Sequence, residues 1–247
     1  MKGLIVNADD FGLTAGINAG IVQAHEHGIV RSATLMVRGA AAEEAAAWAR
    51  AHPSLGVGLH IDLWEHVLQG GQWVRSYQHC ASDAPAVRAE IERQFERFCA
   101  LLGREPDHID THQHVHRQPP VGDEVRDFAA RRGLALREHG GLRYLGGFYG
   151  QDGCGGPYPE GITPQRLVEL IDALPDGVVT ELSCHPGHVA ADDPLGGTMY
   201  RVERNTEVTT LCDSRVRARV ARGDVRLGTF ADFADRADFA HRAGVAA

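Results

Sequence analysis

A chain of 247 residues is long enough for one large core, and alternating strands and helices closing into a barrel take about that length, so a single domain over residues 1–247 is expected. The formal net charge of −8, with no block of Lys or Arg, argues against a nucleic-acid surface and favours a neutral or cationic small-molecule substrate. Five cysteines without CxxC spacing, a core strand that begins almost at Met1 and no apolar run long enough to span a bilayer point to a cytoplasmic protein with free thiols.

The apolar run Leu4-Ile5-Val6-Asn7-Ala8 reads as a buried parallel strand that ends in two adjacent carboxylates, Asp9 and Asp10. Side chains alternate along a strand, so both carboxylates face one way only if the backbone bends there. An isolated Asp-Asp is often no more than a turn and a helix cap. Residues 15–27 follow with helical spacing, 32–37 as a second strand, 40–52 as an alanine-rich helix and 56–61 as a third strand. Residues 64–81 lack periodicity and read as an inserted loop, before a helix over 85–102 with Val87, Ile91, Phe95, Phe98 and Leu102 on one stripe. A fourth strand over 108–111 leads into a histidine-dense turn and a helix over 121–132. Residues 134–136 make a fifth strand, and the glycine-rich segment 140–161 is the longest candidate loop. Thr163 and Pro164 open a helix to residue 174. Residues 177–182 form a sixth strand, 206–222 a helix, 225–227 a seventh strand and 230–241 a closing helix. Seven strand–helix units in alternation imply a parallel sheet, best satisfied by an irregular or incomplete (β/α) barrel, with an open doubly wound sheet as the second choice.

Barrels of this kind carry their chemistry at the carboxyl ends of the strands. Asp9 and Asp10, then His60, then His112, His114 and His116, then His185 all fall at such ends. One carboxylate and two imidazoles suit a catalytic divalent metal, with Asp110 available to hold a ligand imidazole in its tautomer. His112 pairs with His116 on a helical turn, or with His114 if the segment is extended. His60 could equally be a satisfied core histidine. Cys184 could be a nucleophile, though its apolar strand end favours a buried structural thiol. Arg137 either orients a substrate or pairs with a carboxylate such as Glu138. Phe148 and Tyr149, like Trp64 and Trp73, either stack on a bound substrate or pack against the core; His114 joins Arg137, Phe148 and Tyr149 as a candidate substrate contact. His188 is placed outside the ligand set, and His25, His27, His52 and His241 on solvent-facing helix positions.

Asn7-Ala8-Asp9-Asp10-Phe11-Gly12, Gly58-Leu59-His60, Asp110-Thr111-His112-Gln113-His114-Val115-His116 and Cys184-His185-Pro186-Gly187 together resemble the YdjC family of carbohydrate deacetylases, which includes chitooligosaccharide and hopanoid-associated members. The resemblance runs to the region of Arg204, Glu207 and Leu211. It implies an irregular (β/α) barrel, often dimeric, with one divalent metal held by Asp10, His60 and His112. It makes Asp9 the general base and His185 the general acid. The family often has a third histidine where this chain has Gln113, which is not assigned to the metal. Mixed nitrogen and oxygen ligation favours zinc, cobalt or manganese on softness, while magnesium is common in the resembled family. The expected reaction releases acetate from an N-acetylated amino sugar by attack of a metal-activated water. A metal-dependent phosphoesterase, a sugar isomerase and a non-catalytic sugar-binding or regulatory barrel are the alternatives.

Overall fold

The computed structural model describes residues 1–190 and 200–234. In chain order the first half comprises β1 (Lys2–Phe11), α1 (Ala15–Glu26), β2 (Ser32–Leu35), α2 (Ala42–Ala51), β3 (Gly56–Ile61), β4 (Trp64–Gln69), β5 (Gln72–Gln78), α3 (Ala84–Leu102) and β6 (His108–Thr111). The second comprises α4 (Val121–Arg132), β7 (Ala135–Leu136), β8 (Arg143–Leu145), α5 (Pro164–Asp172), β9 (Val179–Cys184), α6 (Val202–Leu211), α7 (Ser214–Val220) and β10 (Val225–Leu227).

From Gly3 to Phe11 every residue of β1 is buried, as a strand covered on both faces requires. The sheet runs β7-β6-β3-β2-β1-β9-β8, and every pairing in it is parallel. β9 holds one edge of β1 from Gly3 to Ala8; the other edge is shared, first by β10 at Lys2–Leu4 and then by β2 from Asn7 on. This eight-stranded, helix-covered sheet, whose end strands β7 and β8 do not pair among the described residues, is the incomplete (β/α) barrel expected. No helix among the described residues is long and apolar enough to cross a membrane.

Capping sets the helix starts. Thr14, Asp83 and Thr163 each accept a backbone N–H three residues on, with Pro85 and Pro164 in the first turn of their helices. Gly58 in β3 has a packing reason: a Cβ there would lie about 2.5 Å from the His108 ring, which stacks on Phe230 and reaches Asn7 Oδ1 at 3.1 Å.

Three segments depart from the sequence expectations. Residues 64–81 are not a loop: β4 and β5 form an antiparallel hairpin turned by Gly70 and Gly71, both at positive φ. β5 is almost wholly exposed, so it carries no apolar alternation to read. The glycine-rich segment contributes β8, which pairs with β9. The helix expected over 206–222 is two helices, because the Asp213 side chain caps a new start by accepting from the Arg215 N–H. The closing helix shows only a 3-10 turn at Ala231–Phe233, and the rest of it, with His241, lies outside the described residues. Two histidines placed on solvent-facing positions are engaged instead. His25 bonds Val30 O and Ser54 Oγ, and His52 stacks on Trp48 at 3.9 Å.

Candidate active site

The bend that two facing carboxylates require is present at the end of β1. Asp10 has φ +68°, and the β1–β2 register shifts between Ala8 and Phe11, so Asp9 and Asp10 both line one cleft. Into the same space β3 delivers His60 and the turn after β6 delivers His112. Asp10 Oδ1 lies 3.4 Å from His60 Nε2 and 3.2 Å from His112 Nδ1, and the two nitrogens are 3.3 Å apart. Three donors each about 2.1 Å from a common cation would be separated by about 3.0–3.5 Å, so this triangle has the dimensions of a coordination face.

The surroundings support that fit. Asp10 Oδ1, one corner of the triangle, is buried without a hydrogen-bond partner among the described residues. His60 Nδ1 meets Asp110 Oδ1 at 2.7 Å, which puts the ring proton on Nδ1 and leaves the Nε2 lone pair for the triangle. Burial disfavours charge on His60, but the Asp110 and Asp10 carboxylates outweigh it and hold the ring well above the ordinary histidine range. His112 is raised in the same way through Asp10. The cluster therefore favours positive charge. Asp9, His60 and Asp110 are also close enough to share an ion, but Arg137 lies 2.7 Å from both carboxylates and would repel one.

Arg137 is fully buried and does not line the cleft. Its substrate-contact reading gives way to a structural one. The guanidinium bonds both oxygens of Asp9 at 2.7 Å and also Asp110 and Glu181, while Glu138 turns to Arg117 and His116 instead. Burial pushes the Asp9 carboxyl up, and Arg137 more than reverses this, holding it far below the usual carboxylate range. His185 Nε2 stands 3.8 Å from Asp9 Oδ2. Burial brings His185 down to about 4, with the charges of Asp9 and Asp10 opposing.

Two site residues lie on α6, three positions apart and so on one face. Arg204 Nη2 bonds Asp10 Oδ2 at 2.6 Å and Nη1 reaches the His185 carbonyl at 3.4 Å. Glu207 accepts the His185 backbone N–H at 2.5 Å and the Tyr200 hydroxyl, and burial raises its carboxyl to about 8. Their (i, i+3) spacing was the available signal, but nothing local indicates that both turn inward.

The three alternating histidines go to three places. Gln113 and His114 both adopt left-handed backbone, so the turn is neither helical nor extended. His112 joins the metal-type triangle, His114 Nε2 meets the Tyr144 hydroxyl at 3.0 Å, and His116 bridges Thr111 and Glu138. Cys184 is fully buried, and burial raises its thiol well above the ordinary range, as an inert structural cysteine requires. His188 bonds Gln23 at 2.8 Å.

The cleft has a volume of about 650 Å³. Besides the triangle, Asp9 and His185, it is lined by His114, Phe148 and Tyr149. Phe148 is nearly inaccessible, whereas Tyr149 is part-exposed, stacks on Tyr200 and meets the His185 ring edge-on. Trp64 is buried, but Trp73 is exposed at the rim.

A family model described as YdjC-like protein matches residues 3–222. A carbohydrate deacetylase of Geobacillus stearothermophilus is 37% identical, with 93% of this chain and 97% of the relative covered. A chitooligosaccharide deacetylase of Serratia marcescens is 35% identical, covering 94% and 99%. Among solved structures, a suggested cellobiose-phosphate cleavage protein of Enterococcus faecalis V583 superposes with a TM-score of 0.75 at 25% identity, over 94% of this chain and 98% of that one. A family 4 acetyl xylan esterase of Clostridium thermocellum, solved with a cobalt ion, shares the fold at a TM-score of 0.50 and 15% identity, over 95% and 91%.

Proposed function

Because the chain belongs to the YdjC-like family, we propose that it is a divalent-metal-dependent hydrolase that removes N-acetyl groups from an amino-sugar-containing carbohydrate. The observation that carries this reading is the Asp10–His60–His112 triangle, with Asp9 and His185 beside it. Zinc or magnesium is the first choice of cation, with manganese or cobalt as substitutes.

Asp10, His60 and His112 would hold the cation. When bound, it supplies an acidified water and an electrophile for the acetamide carbonyl. Asp9 receives the water's proton. Its clamp to Arg137 keeps it ionised and aimed, and also makes it a weak base, so the acidity must come from the water's side. His185, neutral before reaction, is close enough to Asp9 to take that proton on. The burial that keeps the ring neutral makes its protonated form a ready donor to the departing nitrogen. Proton transfer is required because an amide anion is too basic to leave. The products are acetate and the free amine.

The test is acetate release from the N-acetylglucosamine dimer and monomer, with chelation and metal add-back. Activity should vanish on chelation and return with the cation, and D9N and H185A should each lose about 10²–10⁴-fold in kcat. Undiminished activity in both variants would remove the assigned roles. A protein that takes up no cation at millimolar supply would remove the hydrolase reading.

A further inference from the structure

Asn7 opens the run that ends in Asp9 and Asp10, yet the deacetylation chemistry leaves it without a task. It is fully buried. Residues two apart on a strand share a face, so Asn7 and Asp9 point to the same side of β1. A buried carboxamide is costly unless its polar atoms are paired. Those of Asn7 are. Its Nδ2 donates to Asp9 Oδ1 at 2.8 Å and to Thr34 Oγ1 at 3.3 Å, while its Oδ1 meets His108 Nε2 at 3.1 Å. An ionised carboxylate only accepts, so the amide turns its nitrogen to Asp9 and its oxygen to His108. His108 is itself seated, its ring stacked on Phe230 at 3.6 Å in space that a Cβ at Gly58 would take.

This contact makes the two oxygens of Asp9 unequal. Arg137 gives one N–H to each, Nη2 to Oδ1 and Nη1 to Oδ2, both at 2.7 Å, and by itself would leave them alike. A carboxylate oxygen has room for about two donors. Asn7 supplies the second one to Oδ1. Among the described residues Oδ2 accepts only from Arg137, and it is the oxygen that lies 3.8 Å from His185 Nε2.

We infer that Asn7 is a positioning residue for Asp9: it fills Oδ1 and leaves Oδ2 as the atom that receives the water's proton and passes it to His185. The O–H bond of water breaks, its proton bonds to Oδ2 and then to His185 Nε2, and Oδ1 keeps both of its N–H partners throughout. This rests on the deacetylase reading, in which Asp9 is the base.

The test is acetate release from the N-acetylglucosamine dimer by N7D, N7A, D9N and the N7A/D9N double variant, each supplied with zinc or magnesium. N7D keeps the shape of the side chain and removes the donor. Both single Asn7 variants should lose about 10–100-fold in kcat, the scale of a misaimed base, with KM within about twofold of wild type. In the D9N background the N7A change should cost less than about twofold, because Asn7 acts only through the carboxylate already removed. An equal loss in both backgrounds overturns the assignment, as does a wild-type kcat in N7D and N7A or a change confined to KM. If thermal unfolding shows that neither N7D nor N7A folds, Asn7 is a residue of the core and the assignment also falls. Acetate release by wild type and undiminished by the Asn7 changes strikes only Asn7. A wild-type protein that releases none strikes the deacetylase reading first, and Asn7 with it.

Discussion

Arg137 shows how much can rest on a single side chain. Buried and bonded to Asp9, Asp110 and Glu181, it offsets carboxylates that would otherwise repel one another inside the barrel. Removing one partner from a buried ion cluster leaves uncompensated charge. R137M should therefore lose about 3–5 kcal/mol of unfolding free energy in urea titration. R137K should recover only part of this, because an ammonium cannot bond both oxygens of Asp9 in a planar fork and still serve Glu181. Stability equal to wild type in R137M would show that the cluster is held by something else. The sequence placed Arg137 just beyond the fifth strand, but its partners come from positions 128 residues away in one case and 44 in another, which no local pattern encodes.

Among elements, the register of α1 against the segment after β9 controls where His185 sits. A Cβ at Gly20 would lie about 2.4 Å from the Gly187 Cα, and the His188 N–H donates to Gly16 O at 2.9 Å, so helix and loop touch backbone to backbone. G20A should push the loop away at a cost of about 1–3 kcal/mol. If His185 is the acid, kcat should fall by as much as about 10²-fold per ångström of displacement, measured by acetate release alongside thermal unfolding. Full activity in a stably folded G20A protein would detach His185 from the reaction. The hairpin was legible in one respect only: Gly70-Gly71 is a hairpin-turn pair. Its strands were not, since β5 packs against no core and shows no apolar period.

For the whole molecule, charge is buried at several places, and at this site five carboxylates, Asp9, Asp10, Asp110, Glu181 and Glu207, lie beside two guanidinium groups, Arg137 and Arg204. A site that favours positive charge should stabilise the fold when a cation fills it. At a cation concentration of about 100 Kd, unfolding free energy should rise by about 2.7 kcal/mol, seen as an increase in Tm. D10N should abolish the increase. An equal increase in D10N would mean that the ion binds elsewhere.

The alternation of apolar strands with amphipathic helices, and the habit of placing polar residues at strand ends, were properties of the chain alone. They sufficed for the barrel and for placing Asp9, Asp10, His60, His112, His114, His116 and His185 at strand ends, because local periodicity and the parallel crossover rule act before any long-range detail; the choice of His112 among its neighbours came from the family resemblance. What sends His114 and His116 away from the triangle is seen only in three dimensions, in the left-handed backbone at Gln113 and His114. So are the burial of Arg137 behind Asp9 and the inward turn of Arg204 and Glu207. The reason is physical: hydrogen bonds and ion pairs between distant segments depend on distances of a few ångströms, and those are set when helices and strands pack, not by the identity of neighbours along the chain.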